Sequence, residues 1–457
     1  MDKNYKEYNL GIDIGSGRIK VCYFNKSKNI PEIYDFSEGL GEPSIASVSA
    51  TRDGEFIIGD LAVTTLGPLV KDIGSSPQSL EICIDDIISE IITRENNVRV
   101  KHITFAISEN TKLDILNEAL QTLKIPKNLT SFKTSNDCIL NFHFSKKKEA
   151  SKNLLVIDYG ADALRISYFT KKEKGIYVKE GSYLDKELGM NNLEKELNEL
   201  FLSVYEKHLG RTLDVYDIYG VRAFTHENKN KVLRTPKRQK LIFNFGEVFE
   251  YKFSPNTLVD SYMQKFESHL KKFVSWQGLD TSNVEEILLV GGGFNMYWPE
   301  DIVEIIFPDS NIAMYKKPEF SISLGASLIG SKQDPEKIVR TEKPQIKYNI
   351  GILTFAGEKE VFYPVIDAGE INAGQTYAVR VMADLTGPFK LDIYKDSVEG
   401  KAEVLHTINI TNINKPKYAG ALEVCLNISN NILTIKVFDI SFEAPKGVIA
   451  TETVFLN

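Results

Sequence analysis

One pattern occurs twice in this 457-residue chain and limits what it can fold into. YNLGIDI at Tyr8–Ile14 is an apolar, strand-like run that ends in the turn Gly15-Ser16-Gly17. RIKVCYF then resumes at Arg18–Phe24 with period-two alternation. NLLVI at Asn153–Ile157 leads into Asp158-Tyr159-Gly160-Ala161-Asp162, and LRISYF follows at Leu164–Phe169. Both copies read strand, Asp, one residue, Gly, turn, strand. Asp13 and Asp158 stand about 145 residues apart by the numbering, too far for a solenoid unit. A whole subdomain is therefore repeated.

Helical patterns lie between and after the hairpins. Ser79–Thr93 places Leu80, Cys83, Ile87 and Ile91 on one face. Asn110–Leu123, Asn191–His208 and Ser261–Trp276 read as further helices, the second with Asn191 or Asn192 as cap. The lysine run Lys146–Lys148 reads as a solvated loop between the halves. Val284–Val290 runs into Gly291-Gly292-Gly293, and a helical stretch follows at Glu300–Ile306. Strand, triple glycine, helix is a geometry that lets backbone approach phosphate or nucleoside.

Ser331–Lys347 is charged, holds two prolines and lacks an apolar face, which predicts a linker. From Asn349 to Asn457 only short β-rich runs occur, separated by turn signals such as Asp367-Ala368-Gly369 and Asn430-Asn431. That pattern predicts a β-sandwich.

Composition excludes several function classes. A net charge of -7 gives no basic excess for a nucleic-acid backbone. Cys22, Cys83, Cys138 and Cys425 form no CxxC pair, so neither a zinc site nor a disulfide framework is expected. The N-terminal MDKNYKEYNL is too polar for a signal peptide, and no apolar run approaches the roughly 18 residues of a membrane span. A cytoplasmic protein with free thiols is the expectation.

An aspartate at a strand end beside a glycine turn can hold Mg²⁺, usually through water. The bare N–H groups of such a turn can approach phosphate oxygens. Two such hairpins face to face would clamp a polyphosphate, with the third glycine turn against the nucleoside.

With these motifs in this order, the chain resembles the actin-like ATPase superfamily, and within it the 70-kDa heat-shock chaperone family. GIDIGSGRIKV is similar to the first phosphate loop of that family and NLLVIDYGADALRISYF to the second. ILLVGGGFNMYWPEDIVEIIF resembles the adenosine motif, and PEFSISLGASLIGS the closing helix. LEVCLNISNNILTIKVFD is similar to part of the peptide-binding β-domain. The resemblance extends over nearly the whole chain.

It implies an α/β actin-like ATPase fold, two lobes with duplicated α/β subdomains, plus a C-terminal all-β sandwich. Residues 1–332 would be the nucleotide-binding domain, with lobe I about 1–150 and lobe II about 151–332. Residues 333–348 would be the linker and 349–457 the β-domain. ATP or ADP with Mg²⁺ would lie between the lobes. Carried over by position, Asp13 and Asp158 would sit at the metal and the reaction centre, with Lys71 as the catalytic lysine. Gly15, Ser16, Gly17 and Arg18 would wrap phosphates from one side, and Gly160, Ala161 and Asp162 from the other. Glu227 and Lys231 would grip adenine and ribose. Gly291, Gly292, Gly293 and Asn295 would approach the adenosine, with Glu319 behind the nucleotide. Phe355, Met382 and Phe389 would face a peptide groove. The implied partners are an unfolded peptide or one dedicated protein, together with a co-chaperone.

The second loop departs from the family pattern. Ala163 replaces a threonine, Arg165 replaces the second aspartate on the metal side, and Asp162 adds a carboxylate where the family has glycine. The cleft glutamate expected near Thr134–Cys138 is missing, and Asp137 is out of register. The linker is polar, and no helical lid follows the β-domain. These departures predict nucleotide binding with weak or absent hydrolysis. The alternative is a catalytically inactive nucleotide-sensing scaffold for one partner protein. An actin-like filament protein is disfavoured by the β-domain, and a sugar kinase by the lack of a sugar site.

Overall fold

Both copies of the repeated motif form hairpins, and each hairpin seeds a sheet of the same strand order. The structure is a computed structural model. It describes residues 5–39, 41–52, 55–64, 69–71, 73–95, 98–108, 113–147, 151–172, 177–331, 345–346, 348–356, 359–370, 376–384, 387–396, 402–411, 419–429, 432–440 and 447–456. The chain divides into two compact units, residues 1–177 with 184–339, and residues 178–183 with 340–457. The molecule is a mixed α/β protein with an all-β C-terminal region.

In the first sheet the order is Ile30–Ile33, Arg18–Asn25, Lys6–Ile14, Val98–Ile107, Thr130–Thr134. The first three strands run antiparallel and the last two join parallel. The second sheet runs Tyr177–Asp185, Leu164–Lys171, Asn153–Tyr159, Glu286–Val290, Asn311–Met314. Its hairpin is again antiparallel and its last two strands again join parallel. Central strands flanked in this way are covered on both faces and read as continuous apolar runs. Leu154, Leu155, Val156 and Ile157 are accordingly all buried.

The helix Pro77–Arg94 covers the first sheet. Ser76 caps it by accepting from Ser79 N, and it buries Leu80, Cys83, Ile87 and Ile91, the face read from the sequence. The next expected helix spans Leu113–Thr122; residues 109–112 lie outside the described residues. The helix Met190–Leu209 starts from Gly189, not from an asparagine cap. Asn192 lies inside the first turn, where Nδ2 donates back to Lys186 O and Glu187 O, both at 3.0 Å. The fourth expected helix is longer than its reading, Asn256–Trp276.

Two helices tie the halves together. Ser135–Lys146 and Ser321–Leu328 cross where Gly325 lets the backbones meet; a Cβ there would overlap the Cys138 carbonyl. Cys138, Ile139, Leu140, Ile322 and Ala326 then share one core with Ala106 of the first sheet and Leu154, Val156 and Leu288 of the second. Of the lysine run, Lys146 is exposed at the end of its helix and residue 148 lies outside the described residues, while Lys147, just past the helix, is half-buried. Its Nζ is 2.7 Å from Oε1 of the buried Glu286, whose other oxygen faces His143 Nε2 at 3.3 Å.

In the C-terminal region every described element is a strand. Two four-stranded antiparallel sheets share one core that includes Ile350, Ile393 and Ile408 from one sheet and Leu422, Val424, Leu426 and Ile435 from the other. Of the expected linker, residues 332–344 and 347 lie outside the described residues. Ile346 was read as part of that linker. It is buried in the β-core, and Gln345–Ile346 pairs with Gly369–Glu370, so the β-region begins before residue 349. None of the four cysteines forms a disulfide. Among the described residues no helix is long and apolar enough to cross a membrane.

Candidate functional site

The two hairpin turns and the triple-glycine turn open onto one cavity of about 560 Å³. Asp13, Ile14, Gly15, Ser16, Gly17, Arg18 and Lys20 line it from the first hairpin, and Asp158, Gly160, Ala161, Asp162 and Arg165 from the second. Gly291, Gly292, Asn295 and Glu319 complete that wall. Parallel pairing brings these segments together, because Ile157 and Asp158 lie beside Leu289 and Val290, just before the glycines.

Each hairpin aspartate has a cation directly across the ladder. Asp13 is the cross-strand partner of Lys20, and Asp158 of Arg165. Lys20 Nζ lies 3.1 Å from Asp13 Oδ2, and Arg165 Nη1 lies 3.8 Å from Asp158 Oδ2. Arg165 Nη2 also donates to both oxygens of Asp162, at 3.0 and 2.9 Å. Asp158 is 8% exposed. Burial pushes its carboxyl up to about 6, Arg165 opposes that, and Asp13 and Asp162 add to it.

The expected metal ligands are thus already engaged by cations. Among the described residues no group of three or more His, Cys, Asp or Glu side chains is placed to hold a metal. Mg²⁺ is ordinarily held by one or two carboxylates together with its own waters and substrate phosphates, and Asp13 and Asp158, which line the same cavity, are the residues that would hold it.

The second turn spends part of its backbone on itself. Gly160 N–H donates to Ala163 O at 2.9 Å, which takes it away from a phosphate role. Gly160 O and Ala161 O accept from Met190 N and Asn191 N, at 3.1 and 2.7 Å, so the helix Met190–Leu209 starts directly on this loop. The positive end of its dipole therefore faces the cavity edge. The two turns also touch, since a Cβ on Gly17 would lie 2.6 Å from Ala161 Cβ. The Ser16 hydroxyl is buried and has no hydrogen-bond partner among the described residues.

Arg18 lines the cavity but is committed elsewhere. It forms a fork on Asp60, with both N–O distances 2.9 Å, and donates to Ser44 Oγ and Ser44 O. Asp60 also meets His226 Nε2 at 2.9 Å. Burial raises the Asp60 carboxyl, but His226 and Arg18 outweigh it and hold it well below the usual range. This trio joins the first turn to the helix Val215–Leu233 on the far side of the cavity.

Gly291 sits at φ +97°, where a side chain is strained, and a Cβ would come within 2.7 Å of Asp158 Oδ1. Gly293 is buried against the Tyr159 ring and is not part of the lining. Asn295 Nδ2 donates to Glu319 Oε2 at 3.1 Å, so these two expected residues meet.

Other expected residues lie elsewhere. Glu227 and Lys231 are exposed and absent from the lining; the same helix turns Lys229, Asn230 and Leu233 to the cavity. One residue is 100° of helix rotation, enough to move a side chain to another face. Lys71 lies in the strand Leu69–Lys71, and its side chain is outside the described residues. Asp137 forms a capping box with Thr134 and so serves the helix, not the cleft. In the β-region, Phe389 packs against the core while Met382 is 71% exposed, so the two do not share a groove lining. The Phe355 side chain is outside the described residues.

Lys20, Asp60, His226, Lys229 and Asn230 were not read from the sequence as site residues. Lys20 carried a signal, because it follows Asp13 by the spacing that separates Arg165 from Asp158. The others are brought in by tertiary contacts alone. No protein-family model matches the chain.

Proposed function

We propose that this chain is a divergent member of the actin-like ATPase superfamily, closest in plan to the 70-kDa heat-shock chaperones, and that it binds ATP or ADP in the cavity between its two hairpin turns. One observation carries the reading: three glycine turns, far apart in sequence, line one cavity of about 560 Å³. That volume lies in the usual range for small-molecule sites. The repeated strand order and the Ser16 hydroxyl, buried with no hydrogen-bond partner among the described residues, support it.

Hydrolysis is weak or absent in this reading. Phosphoryl transfer depends on positioned water and charge at the γ-phosphate. Each lost contact of about 2–3 kcal/mol slows it roughly 30–150-fold. Ala163 offers no hydroxyl, and Arg165 is drawn onto Asp162. That bond also favours the second reading, a nucleotide-sensing scaffold without catalysis. The β-region would hold an extended peptide or one protein partner along a strand edge. A reducing cytoplasm suits four cysteines without a disulfide.

Calorimetric titration of the full chain with ADP and ATP tests the binding claim. Saturable micromolar binding is expected, and its absence overturns the proposal. Single-turnover hydrolysis with excess protein then separates the two readings.

A further inference from the structure

We propose that the turn after the helix Val215–Leu233 is an electrostatic guide that speeds capture of the anionic ligand and takes no part in holding it once bound. The inference rests on the nucleotide reading above and deepens it. Among the lining cations, Lys20 faces Asp13, Arg165 faces Asp158 and Asp162, Lys229 faces Glu194 at 2.6 Å and Arg234 faces Glu42 at 3.8 Å. The chain as a whole carries -7. Neither offers a polyphosphate much attraction at a distance.

The surplus lies just outside. Residues 229–240 hold six lysines and arginines and no carboxylate. Lys231 stands in the last turn of the helix, where a cation suits the dipole. Lys237 and Arg238 have no such use: both are exposed and form no ion pair among the described residues. The same holds for Lys252, which stands directly across the ribbon from Lys240. Like charges in that position weaken a strand pair, and only Lys240 is relieved, by Glu250 at 2.5 Å.

The turn is fixed close to the cavity. Gln239 Nε2 donates to Lys231 O and Val232 O, at 3.2 and 3.3 Å, and so folds the chain back onto the helix end. Leu233 and Arg234 at that end line the cavity. Lys237 is three residues past Arg234, a span of at most about 11 Å. The screening length is about 8 Å at physiological salt and about 30 Å at 10 mM. Charge at that range raises the encounter rate and leaves the contacts of the bound state unchanged.

The test is stopped-flow association and dissociation of the full chain with a ribose-labelled fluorescent ADP across a salt series. The wild-type association rate should fall about tenfold between about 10 mM and about 500 mM salt. At the low end Lys237→Gln/Arg238→Gln/Lys252→Gln should associate about three- to tenfold more slowly, and the gap should close at the high end. Its dissociation rate should stay within about twofold of wild type. Should that variant fail to fold, the single change Arg238→Glu should slow low-salt association by about the same factor. A wild-type rate that does not change with salt overturns the inference, as does equal association by the variants at low salt. Slowing that persists at high salt, or a change in dissociation instead, makes these residues contacts of the bound ligand or of the fold and also overturns it. In each of those cases the nucleotide cleft stands. No binding at any salt overturns both.

Discussion

Arg165 lies directly across the second hairpin from Asp158, with Nη1 3.8 Å from Asp158 Oδ2. Lys20 holds the same station opposite Asp13. The internal repeat is therefore a repeat of charge as well as of strand order. The first hairpin lines the cavity with Asp13, Arg18 and Lys20, the second with Asp158, Asp162 and Arg165.

Asp158 makes stability depend on pH. Its folded carboxyl titrates near 6 against an ordinary 3.8, so the folded state binds more protons between those values. Stability from this group rises as pH falls through that window, by up to about 3 kcal/mol. Urea denaturation from pH 7 to pH 4 should show the gain in wild type and lose it in Asp158→Asn. An unchanged slope in the variant would refute the assignment.

Glu286 acts in the opposite sense. Burial raises its carboxyl, but His143, Lys147 and Ser151 outweigh burial and hold it near 2. Its contribution is complete above about 4.5 and is lost as pH falls toward 2. Glu286→Gln should cost roughly 2–3 kcal/mol at neutral pH, with the difference shrinking in acid. Chemical denaturation at both pH extremes measures it.

Gly292 separates ligand binding from folding. A Cβ there meets only Glu319 Cβ, at 4.0 Å, and the residue lines the cavity. Gly292→Leu should leave stability within about 0.5 kcal/mol of wild type while abolishing ADP binding. Paired thermal melts and ADP titrations check this, and ADP binding at wild-type affinity would place the nucleoside elsewhere.

Gly325 allows no such freedom. Gly325→Ala should cost more than about 3 kcal/mol, because the new methyl overlaps the Cys138 carbonyl at the helix crossing. Denaturant midpoints of the two proteins give the number.

The β-region offers a paired contrast. Ile435 is fully buried between its sheets, and Ile435→Ala should cost about 2–4 kcal/mol. Met382→Ala should change stability by less than about 0.5 kcal/mol, since that side chain faces solvent. A large cost for Met382→Ala would mean that its side chain is packed.

Sequence periodicity revealed what is local. The hairpins were legible because glycine turns and alternation mark both ends of each strand, and the helix Pro77–Arg94 because its apolar stripe is regular. Asp137 is out of register for a cleft carboxylate in the sequence, and the structure turns it to Thr134 as a cap, a role that the Thr134-x-x-Asp137 spacing also signals. Glu227 and Lys231 were chosen on the right helix but the wrong face, because spacing alone does not fix helix rotation. The Arg18–Asp60–His226 trio was beyond reach. Asp60 and His226 are 166 residues apart, and only the folded chain brings them within 2.9 Å.

The central claim is that one nucleotide touches all three glycine turns. Hydrogen-exchange mass spectrometry of the full chain, with and without saturating ADP, tests it most directly. The account predicts slowed exchange in peptides covering 13–20, 158–165 and 291–295 together. Protection confined to other segments, or none at saturating ADP, would contradict it.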